Sequence, residues 1–297
     1  MSACRGNKVL LALVLIAAFL MIIWVPFLIY PVVGELQPHM YDRQELFKEQ
    51  GEMMKRAMIM HVPIMVGWTY PMWAFLSVFA GGIILAVARP FYNGSKWARS
   101  LILACLAVPA IGGAYMFIPY SNFVTSATGK MSPTTLMALV GLIPYFAILM
   151  TGLKSAKQRV IVFLVFALMG MVATYTFGNG TAAHRILMAH PKMPVYPDMG
   201  IMALQGMRMG WIGVAALFTS VYFLSMRTVV GYYLTISAAF ICAVTNLYTA
   251  IWRYDTVDYY TAGLMAVAII VLVVVGKKEL LEENAEALER CETGIEV

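Results

Sequence analysis

Residues 10–30 read LLALVLIAAFLMIIWVPFLIY, an unbroken apolar run without a single charge. A helix that crosses a bilayer needs about 20 such residues. A cleavable signal peptide has a shorter apolar core, about 7–15 residues, and ends at small residues. This run is longer and ends in bulky side chains, so it reads as an uncleaved first span. Arg5 and Lys8 precede it.

The rest of the chain repeats the pattern. Of 297 residues, 61% are hydrophobic and 12% are charged, with mean hydropathy +0.78. Soluble domains carry about 25% charged residues, so the bilayer is the expected solvent. Spans are expected at about 9–33, 60–88, 98–120, 134–153, 159–178, 203–226, 229–251 and 258–276. The runs are continuous rather than alternating, which excludes a β-barrel. The expected fold is all-α: a polytopic membrane bundle of about eight helices in one domain, residues 1–276. Residues 277–297 form an acidic tail with a sparse helical stripe of Leu281, Ala285 and Leu288.

Charge sets the orientation. If the N-terminus is cytoplasmic, the loops holding Arg89, Lys96, Arg99, Lys154, Lys157, Arg159 and Arg227 are inner loops and contain no acid. The acids Glu35, Asp42, Glu45, Glu49, Glu52, Asp198, Asp255 and Asp258 then fall outside. That is the positive-inside pattern, and an even span count places both termini inside. The segment 34–60 is too long for a simple turn. Asp42 and Glu45 have capping-box spacing, followed by Leu46, Phe47, Met53, Met54 and Met58, so an amphipathic outer segment is expected after the first helix.

Candidate chemistry gathers on that outer side. All four histidines, His39, His61, His184 and His190, fall there. Imidazole binds haem iron, and His61 with His184 or His190 is the expected pair for a b-type haem. The ordinary alternative is interfacial polarity. Trp68 and Trp73 are candidate walls of a quinone pocket, against the alternative of an aromatic interfacial belt. Arg208 is the one basic residue that a generous span would bury; such a residue is either functional or snorkels to the interface. The four cysteines, Cys4, Cys105, Cys242 and Cys291, have no metal-site spacing, so neither zinc nor a disulfide is expected.

Absences narrow the function. No acid lies deep in a span, which argues against ion-coupled carriers. No Walker motif, G-x-S-x-G or H-E-x-x-H occurs, so self-contained catalysis is not expected. Eight spans in about 300 residues, with the stretch Trp73-Ala-Phe-Leu-Ser-Val-Phe-Ala-Gly-Gly, is similar to the quinone-interacting membrane anchors of the NrfD/DmsC type. Segment 34–60 departs from that pattern, so no residue roles are carried over. The expectation is a non-catalytic or electron-relaying subunit of a respiratory complex in the cytoplasmic membrane. It would anchor an extracytoplasmic redox partner and contact quinone or haem b near the outer leaflet. A transporter or channel for a neutral solute, and a cofactor-free scaffold, are the alternatives.

Overall fold

A computed structural model describes residues 6–189, 198–253 and 256–281. It is all-helical, with no strand among the described residues. Among the described residues, seven helices are long and apolar enough to cross a membrane: α1 (Lys8–Glu49), α2 (Met53–Tyr92), α3 (Lys96–Thr128), α5 (Ala156–Ala189), α6 (Asp198–Ser225), α7 (Val229–Trp252) and α8 (Asp258–Val275). A shorter apolar helix, α4 (Thr134–Leu149), lies between α3 and α5. The tail from residue 282 onward and His190 lie outside the described residues.

Several segments are tied together at what we call the basic end. The Gly6 amide donates to the Tyr92 carbonyl at 2.9 Å. Arg99 donates to the carbonyls of Ile148, Leu149 and Thr151, which closes the C-terminus of α4. Gln158 donates to the Glu279 carbonyl, and Lys157 pairs with the Glu279 carboxylate. That lysine hydrogen bond holds the Glu279 carboxyl below the ordinary carboxylate value.

The opposite end departs from expectation. The sequence suggested that the first helix stops near residue 33 and that an amphipathic helix starting near Asp42 lies at the interface or runs into the second span. Instead α1 runs 42 residues without a break, about 63 Å at 1.5 Å per residue. Its apolar part needs only about half of that. The reason is a single stripe: Val25, Ile29, Val32, Leu36 and Met40 are all buried, with Gln44 continuing the row. A 3–4 spacing of this kind keeps one face against its neighbour across the membrane boundary. Asp42 therefore sits inside a helix and caps nothing, and Leu46, Met53 and Met54 are exposed.

α1 and α2 thus form a helical hairpin whose tip turns at Gly51, with φ +71°. Gln44 ties its arms together through the carbonyls of Ile59 and Met60. Most prolines among the described residues lie inside helices, although Pro133 precedes α4. A π-helical turn at Leu20–Trp24 includes Ile22, whose carbonyl Pro26 leaves without a donor, and widening of that kind is where a helix absorbs such a fault. α3 likewise continues past its apolar part, through a π turn at Ser121–Thr125, and ends at the left-handed Gly129.

Candidate functional site

Small residues shape the centre of the bundle. Gly113 and Gly141 let α3 and α4 touch backbone to backbone; a Cβ on either would collide with main-chain atoms of the other helix. Seams of small residues are how membrane helices approach closely. The matching positions, Gly113 beside Thr134 and Ala138, then Gly141 beside Leu106 and Ala110, show that α4 runs antiparallel to α3.

Elsewhere on α3, Ala107, Ala110 and Ala114 recur at helical spacing. They share a chamber with Ala167, Gly170 and Ala173 of α5. Two faces of small side chains cannot interdigitate, and an apolar chamber of about 400 Å³ remains. Leu142, Tyr145 and Phe146 of α4 and Leu217, Phe218 and Val221 of α6 complete its walls. A Cβ built on Gly170 would meet nothing within 4 Å.

A second chamber of about 160 Å³ continues the first toward the hairpin end. The two share Ile118 and Tyr175, so they stack along α3 and α5. Its lining changes character: Tyr115, Asn122, Asn179, Thr181, Arg185 and Asp258 bring polar groups to it. Thr69 holds the Tyr115 hydroxyl at 3.2 Å, with its own proton donated to the Met65 carbonyl. Asn179 is buried and donates to Asn246 Oδ1 at 2.7 Å. Asn246 in turn donates to Thr176 Oγ1 and to the Cys242 carbonyl. An aromatic cluster backs these groups. Phe177 packs edge-on against Tyr115 at 4.8 Å and Trp73 at 5.1 Å, and stacks with Trp211 at 6.0 Å.

The residues expected from the sequence lie around this site rather than in its walls. Trp73 is 3% exposed and packs in the core on Phe177 and Phe218. Trp68 is 54% exposed on the surface of α2. His61 precedes the second stretch of α2, and its neighbour Val62 lines the smaller chamber. His184 lies against Trp211, with ring centroids 5.9 Å apart, and within electrostatic reach of Arg208. Arg208 is half-buried in the last turn of Asp198–Arg208, where α6 breaks at Met209. The structure therefore brings His184, Arg208 and Trp211 together. No group of three or more metal-ligating His, Cys, Asp or Glu side chains occurs among the described residues.

Tyr115, Asn179 and Asn246 were missed at the sequence level. The available signal was an amide within an apolar run: Asn246 follows Ile241-Cys-Ala-Val-Thr, and Asn179 sits between two glycines. Comparisons with protein families, with curated proteins and with solved structures each return no match to this chain.

Proposed function

We propose that this chain is an integral membrane subunit that holds a quinone near the outer leaflet of the cytoplasmic membrane, within a multi-subunit electron-transfer complex. The observation that carries this reading is the pair of stacked chambers, one apolar and one polar, sharing Ile118 and Tyr175. Small-molecule sites are concave, about 300–1,000 Å³, mostly apolar, and fixed by a few polar groups. The large chamber suits a polyprenyl tail. The small one brings the N–H groups of Asn179 and Arg185 to a ring with two carbonyl oxygens, which can only accept. The respiratory setting is part of the proposal, and the short basic loops and the gathering of histidines and aromatics toward one side are what motivate it. A membrane phospholipid shares the tail chemistry, so the test must separate the two.

The test is extraction of the protein purified in mild detergent, with mass spectrometry of what it carries. Quinone near one per chain is expected, and it should be depleted in Gly170→Leu, which adds a side chain to the chamber wall at a position where a Cβ meets nothing within 4 Å. Phospholipid alone, or an empty protein, would sink the quinone reading. Redox subunits recovered in the same preparation support the complex, and solute flux in proteoliposomes would point to a transporter instead.

One observation favours a second reading, a b-type haem. His61 Nε2 and His184 Nδ1 are both buried and have no hydrogen-bond partner, and a neutral imidazole in the right tautomer presents such a nitrogen to a metal. The same preparation would then show a Soret band that is lost in His61→Ala and retained in His39→Ala.

A further inference from the structure

The walls of the large chamber indicate how a ligand reaches it, on the reading that the chamber holds an amphiphile. Helices α4 and α5 are consecutive and joined at the basic end by residues 150–155. They meet there through rings, Phe146 with Phe163 at 5.0 Å and Tyr145 with Phe166 at 6.4 Å. Elsewhere their backbones scarcely approach one another, because the glycine seam holds α4 on α3. α4 is also short, about 24 Å at 1.5 Å per residue, against a hydrocarbon core of about 30 Å. A slot is left between α4 and α5, toward the hairpin end. Leu142 and Met171 form its two sides; both line the large chamber and both are partly exposed, at 36% and 47%. The rim of the small chamber is different in kind: exposed Asn122 and Asp258 face outward there.

We infer that the site loads sideways from the bilayer through the slot between α4 and α5. Its ligand class is then a bilayer-dissolved amphiphile, not a water-borne solute. An apolar chain that crosses the Leu142–Met171 slot stays in hydrocarbon throughout, whereas a route past Asn122 would carry the same chain through water, where apolar surface is disfavoured. The polar head follows along the outer boundary and settles beside Tyr115 and Asn179, while the tail lies along the alanine face of α3.

A gate and a binding wall give different kinetics, and that difference supplies the test. Protein in nanodiscs is mixed with vesicles that carry a fluorescent long-chain quinone analogue, and association and release are followed by stopped flow. Met171→Trp narrows the slot from its lipid-exposed side. It should slow association and release together by about tenfold, as a gate does, with Kd unchanged within about threefold. Ser126→Trp, one helical turn beyond Asn122 on the water-facing side and outside the lining of both chambers, should leave both rates as in the wild type. If Ser126→Trp slows loading and Met171→Trp does not, the ligand comes from the aqueous side and the lateral route is wrong. Unchanged rates in both variants would also overturn the route while leaving the site intact. A wild-type protein that binds no analogue at all would instead overturn the proposed function.

Discussion

Asn246 carries the largest consequence for a single side chain. It has no exposed surface, accepts from Asn179 and donates to Thr176 and to the Cys242 carbonyl. It thereby joins α5 to α7 and fixes an amide in the wall of the polar chamber. Interhelical hydrogen bonds in membranes average about 0.6 kcal/mol and reach about 1.7, but removing one partner also strands the other. Asn246→Ala should destabilise the protein by about 1–2 kcal/mol in detergent unfolding. The double variant Asn179→Ala, Asn246→Ala should cost less than the two single variants added together. Strict additivity would show that the pair is not coupled. This residue was legible in principle as a lone amide in a span. Charge marks a residue within a span, and an uncharged amide carries no such mark. Histidine stands out as a haem ligand and arginine by the cost of burying its charge, yet His61, His184 and Arg208 lie outside the lining of both chambers.

At the scale of elements, spans were easy to see and their ends were not. Hydropathy reports where a helix is apolar all round; it falls silent once the helix leaves the membrane, although the stripe from Val25 to Met40 continues. The overhang is fastened at Glu35, just past the apolar stretch, where Lys130 Nζ and the Tyr120 hydroxyl both sit 2.6 Å from its carboxylate. The Lys130 hydrogen bond, and then that of Tyr120, hold the Glu35 carboxyl below its ordinary value of 4.5. A carboxyl with a lowered folded-state pKa stabilises the fold above its unfolded pKa, and the contribution disappears as pH falls through the folded value. The window therefore opens below about pH 4.5. Lys130 and Glu35 side chains are 64% and 30% exposed, so solvent screening limits the effect to about 0–1 kcal/mol. In an acid series of melting temperatures, the wild type should fall more steeply than Glu35→Gln below that pH. Coincident curves would mean that the tie between α1 and α3 contributes nothing to stability.

For the molecule as a whole, topology turns on α4, among the described residues the one apolar helix too short to be counted with the seven spans. Its length alone argues against a crossing. Its placement argues for one: it lies antiparallel along α3, from Gly113 near the middle to Arg99 at the basic end, where Arg99 holds its last carbonyls. A helix packed backbone to backbone along a spanning neighbour shares that neighbour's depth, and the missing length is supplied by residues 129–133 and 150–155 on either side. We therefore expect α4 to cross, which gives eight crossings and places Lys154 on the same side as Ser95. Single cysteines read this directly in intact cells, because Cys105 and Cys242 are buried and Cys4 and Cys291 can be replaced by serine. An impermeant maleimide should label Lys48→Cys and Lys130→Cys from outside, and should reach Ser95→Cys and Lys154→Cys only after the membrane is opened. Labelling of Lys154→Cys from outside would make α4 a non-crossing helix and reverse every later span. The polar chamber would then straddle a helix α5 of opposite orientation, and a ligand held between α3 and α5 could no longer keep its head at one interface.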